Sequence, residues 1–137
     1  MAYKGQPVNS KEVMIRRGKV SDGKSVDVTV PEKTTIEAQD FYILDGFFGM
    51  ALESVKTEAG ETQEIALQIE QAEYESNKIV VGDTFNVGDL VYFDKNKFTT
   101  KKAGRLVGRV TNGKDENNNI WFIMLPQQAD VESADLG

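Results

Sequence analysis

Hydrophobic and polar residues alternate along several short stretches of the chain, a pattern typical of β-strands with one buried face. The clearest case is Ser25–Val30, where three valines alternate with serine, aspartate and threonine. The dipeptide Asp45-Gly46, a common hairpin turn, separates two further apolar stretches. A polar break at residues 94–97 divides another apolar stretch into the halves of a hairpin. The pattern predicts strands in residues 25–30, 35–44, 47–55, 90–100 and 120–125, the last of them buried.

Residues 61–76 carry two conflicting signals. Glu, Gln, Ala and Leu dominate the composition there, and all of them are good helix formers. Ile65, Leu67 and Ile69 nevertheless occupy alternate positions, and a helix would turn Leu67 away from the stripe formed by the two isoleucines. We give the alternation more weight than the propensity and interpret the segment as strand, with helix as the alternative.

Many short strands separated by turn residues predict an all-β fold, a small single-domain barrel or sandwich. A chain of 137 residues, 39% of them hydrophobic, suits one compact core. Residues 1–12 are polar and contain Gly and Pro, so we expect a flexible N-terminal arm there. The β-barrel-like domain is expected in residues 13–126, and residues 127–137 form an acidic C-terminal tail.

The composition excludes several classes of function. The chain has no histidine and no cysteine, which excludes Ser–His and Cys–His catalysis and thiolate metal sites. We expect no metal, no cofactor and no small-molecule substrate. The net charge of −6 makes nucleic acids and anionic membranes poor partners. No apolar run is long enough for a membrane span or a signal peptide, so we expect a soluble protein that stays in the cell that makes it until lysis or assembly.

The stretch GKVSDGKS, from Gly18 to Ser25, matches the phosphate-binding loop pattern G-x-x-x-x-G-K-[ST] at every fixed position. Such a loop needs a helix that starts at its Lys-Ser pair and points its N-terminus at the phosphates. The alternating valines that follow predict a strand instead, and Asp45, which would be the acidic partner, lies in a turn dipeptide. We interpret the stretch as a basic turn entering a strand, and a nucleotide-binding, recombinase-like enzyme is the disfavoured alternative.

Charge is distributed unevenly along the chain. Residues 90–110 hold six basic side chains against one acid, a balance of +5, and residues 51–80 hold seven acids against two lysines, a balance of −5. One interpretation is two solvated strand faces, and another is complementary patches that dock on a partner or a neighbouring copy. A third is a small β-barrel that binds nucleic acid through the basic segment, with Tyr92, Phe93 and Phe98 nearby.

The order of motifs resembles the small tailed-phage capsid decoration (cement) family, whose members are often labelled as RecA/RadA-type phage recombinases. The matching motifs are GFFGMA at residues 46–51, GE at 60–61 followed by alternating apolar residues, VGDLVYFD at 87–94, FTT at 98–100, and G…LVG-V at 104–110. The family usually has Trp where this chain has Phe93. The resemblance covers about residues 26–125.

The resemblance implies a β-barrel-like structural protein without enzyme activity. It implies that the protein is made in the host cytoplasm, binds the major capsid protein on the outer surface of the assembled head, often as trimers, and stabilises the shell by bridging capsomers. The N-terminal arm is expected to order on a neighbouring subunit. We expect capsid or subunit contacts at one aromatic and six basic residues: Tyr3, Arg16, Arg17, Lys19, Lys101, Lys102 and Arg105.

Overall fold

The computed structural model describes residues 18–131, and this part of the chain consists of strands, turns and loops without a helix. The predicted all-β fold is confirmed. The strands are β1 (Ser25–Val30), β2 (Thr35–Ile36), β3 (Phe41–Leu44), β4 (Phe47–Ala51), β5 (Val55–Lys56), β6 (Gln63–Gln68), β7 (Glu73–Ser76), β8 (Leu90–Asp94), β9 (Lys97–Thr99), β10 (Arg105–Asn112) and β11 (Ile120–Met124).

The first sheet has the strand order β1-β6-β4-β3, with antiparallel neighbours throughout. β1 and β6 pair along their whole length, and Val28 lies opposite Ile65. The alternation in β1 therefore places its valines on the same face as the apolar residues of β6. The short β2–β5 ribbon adds Ile36 and Val55 to this face, which forms one of two hydrophobic clusters.

The second sheet has the order β7-β11-β10-β8-β9 and carries the larger cluster. Phe98 on β9 is fully buried, and its ring centroid lies 5.0 to 6.1 Å from the centroids of four other phenylalanines. Two of these, Phe41 and Phe48, come from the first sheet. The aromatic cluster thus holds the two sheets together, and buried aromatic side chains contribute the largest apolar areas of any residue type.

The β3–β4 hairpin is packed on both faces. Phe41 and Phe48 point into the aromatic cluster, whereas Tyr42 and Phe47 pack against the smaller cluster of the first sheet. The turn uses Asp45 and Gly46, both with positive φ (51° and 85°), as expected for a tight two-residue hairpin. The predicted turn is confirmed, and it gives a short hairpin that serves two cores at once.

The end of the described chain is tied to this hairpin and to β10. The Gln127 side chain donates to the carbonyl of Phe48 and accepts from its N–H, both at 2.8 Å. The N–H of Val131 donates to the carbonyl of Gly104 at 2.7 Å. Residues 127–131, which the sequence analysis assigns to the tail, are therefore hydrogen-bonded to the body of the fold.

Several strand predictions differ from the structure in detail. Residues 35–44 divide into β2 and β3, because Gln39 has a positive φ of 71° and reverses the chain. Residues 47–55 divide at a bend into β4 and β5. The strand interpretation of residues 61–76 is confirmed, although it comprises two strands, β6 and β7. β11 is buried on one face only, because Trp121 and Ile123 lie on the open side of the second sheet.

β10 is a strand that the alternation did not predict. Its register against β8 shifts between Leu106 and Gly108, so Val107 and Gly108 are buried at consecutive positions. A bulge of this kind interrupts the two-residue period from which a strand is recognised. The alternation of hydrophobic and polar residues is therefore interrupted in β10, the central strand of the second sheet.

We predict that Gly49→Ala destabilises the protein by about 2 kcal/mol. A Cβ at position 49 would lie 2.6 Å from the carbonyl oxygen of Gln68 and 3.1 Å from Cγ2 of Ile69, so β4 would have to move away from β6. Urea unfolding followed by circular dichroism measures the change. The matched control is Gly82→Ala, where a Cβ meets nothing within 4 Å, and an equal loss in both variants would contradict the prediction.

We predict that Tyr74 ionises at a higher pH than an ordinary tyrosine. Burial, followed by the negative charge of Glu70, raises the pKa of Tyr74 from 10.0 to about 12. Because the folded protein holds this proton more tightly than the unfolded chain, the contribution to stability is complete below pH 10 and is lost as the pH rises toward 12. We expect the tyrosinate absorbance that Tyr74→Phe removes to have its midpoint near pH 12, and a midpoint near 10 would contradict the prediction.

Candidate interaction surface

Of the six basic residues of the sequence segment 90–110, Arg105 and Arg109 lie on β10, and the four lysines lie on or directly after the hairpin of β8 and β9. The hairpin between these strands turns at Lys95 and Asn96, whose φ angles of 51° and 64° belong to the left-handed region. Lys95 and Lys97 are exposed at this tip. An open groove of about 420 Å³ separates the tip from Gly104, Asp130 and Val131. The four lysines of the predicted basic patch therefore follow the β9 edge of the second sheet.

Lys101 and Lys102 are exposed and follow β9 directly. The ammonium group of Lys101 lies 3.6 Å from the carboxylate of Asp83, which is buried and also accepts a hydrogen bond from the hydroxyl of Thr99. This contact holds the loop before β8 against the end of β9. Lys102 lines a shallow hollow beside Tyr92. Both lysines keep their charges at the surface, where a partner can reach them.

Arg105, a further predicted contact, is only 7% exposed. Its Nη1 donates to the carbonyl of Gly46 at 2.7 Å, and its Nε donates to Asp130 at 3.0 Å. These bonds join the start of β10 to the β3–β4 turn and to the end of the described chain. The charge of Arg105 is therefore engaged within the fold.

The stretch from Gly18 to Ser25 has no helix after it, because Ser25 begins β1. Lys19 forms an exposed ion pair with Asp22 at 2.7 Å. The ammonium group of Lys24 lies 3.7 Å from the carboxylate of Glu70. The backbone carbonyl of Lys24 accepts from the N–H of Ile69 at 2.9 Å. The strand–loop–helix arrangement that a phosphate-binding loop requires is therefore absent from this stretch. Lys19 is exposed, whereas Tyr3, Arg16 and Arg17 lie outside the described residues.

The second sheet has one acidic and one basic edge. Glu73 and Glu75 of β7 are exposed at one edge, and Lys97 of β9 and the following Lys101 lie at the other. Two acids of residues 51–80 and two lysines of residues 90–110 thus lie at opposite edges of a single five-stranded sheet.

Between these edges lies an apolar surface that sequence reasoning missed. Trp121 and Ile123 are 43% and 41% exposed on the outer face of β11. The indole N–H of Trp121 donates to the carboxylate of Glu75 at 2.8 Å, and Thr111 donates to Glu73 at 2.6 Å. Because β11 is apolar on both faces, its sequence contained no polar alternation that could reveal which side faces outward.

Within residues 18–131, no three acidic side chains lie close enough together to hold a metal ion. The same residues form no helix that is long and apolar enough to cross a membrane. Asp115 lies in the loop before β11, and hydrogen bonds from the backbone N–H groups of Asn119 and Asn117 hold the pKa of its carboxyl below the usual value. The carboxylate of Asp115 therefore stabilises a turn in this loop.

Comparison with known proteins shows to which family this chain belongs. No curated protein matches the chain. Among solved structures, the N-terminal base of the head fibre protein gp8.5 of bacteriophage phi29 is similar, with 14% sequence identity and a TM-score of 0.42 over 80% of this chain and 99% of that chain. The sequence model of the phage cement protein family matches residues 20–125, a range that includes every strand from β1 to β11. This chain therefore belongs to the phage cement protein family.

Proposed function

We propose that the protein binds the outer surface of the assembled phage head and stabilises the shell by bridging capsomers. Membership of the phage cement family, over all the strands of the fold, is the observation that carries this proposal. Membership already makes the chain a phage head-associated structural protein. The finer assignment, with the major capsid protein as partner and the outside of the virion as location, is our inference.

We propose further that the protein acts on the capsid as a trimer. The acidic edge formed by Glu73 and Glu75 and the basic edge formed by Lys97 and Lys101 suit a head-to-tail contact between copies. Head-to-tail contacts close into rings when the rotation between copies allows it. Complementary charges fix the register of such contacts more than their strength.

Among the predicted contacts, exposure supports Lys19, Lys101 and Lys102 as residues that touch the capsid or a neighbouring subunit. Tyr3, Arg16 and Arg17 remain proposed contacts from the sequence. Arg105 is left out of the proposed contact set, because its guanidinium group already binds Gly46 and Asp130. Its role in the proposal is to hold the β3–β4 turn beside the basic end.

Co-sedimentation with purified expanded capsids that lack the protein tests the function. We expect the wild-type chain to sediment at a fixed, saturable ratio to capsid protein and to raise the temperature at which the capsids disrupt. Absence of stoichiometric binding would refute the proposed function. Saturable binding without any change in capsid stability would refute the bridging role.

The basic contact set can be tested in the same assay. We expect Lys101→Ala/Lys102→Ala to weaken capsid binding about tenfold, the equivalent of about 1.4 kcal/mol for two exposed charge contacts. The matched control is Lys33→Asn/Lys56→Ala, which removes the same charge elsewhere and keeps a residue at position 33 that tolerates its positive φ. Equal binding by both variants would remove Lys101 and Lys102 from the contact set.

We expect Arg105→Ala to act on the fold instead. Removing the guanidinium group should destabilise the protein by about 2 kcal/mol, because two charge-assisted hydrogen bonds are lost. Urea unfolding measures this, with Lys102→Ala as the exposed control of similar charge. Normal stability of Arg105→Ala together with weakened capsid binding would return Arg105 to the contact set.

A further inference from the structure

The outer face of the second sheet carries two exposed apolar residues, Trp121 and Ile123, that the proposed function does not use. We call this surface the Trp121 face, defined by Glu73 and Glu75 of β7 and by Trp121 and Ile123 of β11. Their register places Glu75 opposite Trp121 and Glu73 opposite Ile123. The bond from the indole N–H to Glu75 holds the ring in place. The Trp121 side chain therefore loses little conformational entropy when a ligand covers it.

The chemistry of the Trp121 face defines what fits it. Two apolar side chains lie next to two carboxylates on the β7 side, and Arg109, whose Nη1 donates to the carbonyl of Gly88, lies opposite Ile123 on the β10 side. Glu75 accepts from Trp121 and Glu73 from Thr111 with one oxygen each, so each carboxylate keeps a second oxygen for another donor. Arginine suits such a surface, because its guanidinium group pairs with carboxylates and stacks on an indole ring. The face therefore matches a short segment that combines apolar residues with arginines.

The chain contains such a segment just before its described part. Val13, Met14 and Ile15 are followed directly by Arg16 and Arg17. This composition complements the apolar and acidic halves of the Trp121 face. No other stretch of the sequence has two consecutive arginines.

The chain that joins the segment to β1 is anchored near the start of β7. Lys24 is held at the β6–β7 connection, because its carbonyl accepts from the N–H of Ile69 and its ammonium group lies 3.7 Å from Glu70. Glu70 precedes β7 by three residues. The seven residues between Arg17 and the start of β1 can span about 25 Å when extended, about twice the length of the four-residue strand β7.

We propose that Val13 to Arg17 dock on the Trp121 face of their own chain. The three apolar residues cover Trp121 and Ile123, and the arginines lie beside Glu73 and Glu75. The docked segment shields the apolar surface from solvent. Docking makes Arg16 and Arg17 contacts within their own chain, and it competes with a neighbouring copy for Glu73 and Glu75. Its test uses the free protein and needs no capsid.

Trp121 is the only tryptophan of the chain, so its fluorescence reports on this face alone. Acrylamide quenching is compared between the full-length wild-type chain and full-length Arg16→Glu/Arg17→Glu. We expect the quenching constant to rise about twofold in the variant and its emission to shift to longer wavelength, because contacts that exclude water from the indole are lost. Equal quenching of the two proteins would overturn the proposal.

Two further variants make the test specific. Lys56→Glu/Lys102→Glu changes the net charge by the same amount at distant sites and should quench like the wild type. Adding Glu73→Lys to the arginine variant leaves the bond between Glu75 and the indole intact and should restore part of the protection. Failure of this charge exchange, or protection that grows with protein concentration, would overturn docking within one chain.

Discussion

The aromatic cluster around Phe98 is the interaction on which the described structure depends. Phe41 and Phe48 enter it from the first sheet, and Phe93 and Phe122 enter it from the second. The chain has no cysteine to link the sheets covalently, and the described residues form no helix to cover them. Burial of large rings is therefore what joins the two halves of the fold.

This packing determines which surfaces remain for interaction. Each face of the β3–β4 hairpin packs against one hydrophobic cluster, and Ile43 remains 37% exposed. The second sheet has its inner face against the aromatic cluster, so its outer face and its two charged edges are exposed. Arg105 on β10 donates a hydrogen bond to the carbonyl of Gly46 and so links the second sheet to the β3–β4 turn. On the second sheet, the exposed Trp121 and Ile123 thus lie between an acidic and a basic edge.

The phosphate-loop motif shows why a sequence pattern needs its structural context. GKVSDGKS supplies every fixed letter of the motif. Phosphate binding, however, comes from backbone N–H groups aligned at the start of a helix, and Ser25 starts a strand instead. The same residues form an ion pair between Lys19 and Asp22 and a contact between Lys24 and Glu70. The match to the motif therefore arises from the glycine, lysine and serine residues of a turn that leads into β1.

The sequence by itself determined the all-β class, the turn at Asp45-Gly46 and the hairpin around the polar break at residues 94–97, and it favoured strand over helix for residues 61–76. These features follow from local alternation and turn chemistry, which act over neighbouring residues. Only the tertiary structure decided that Arg105 is buried, that β10 is a bulged central strand, and that Trp121 faces outward. Each of these depends on which strand lies beside which, and the energy of that pairing comes from residues far apart in the chain.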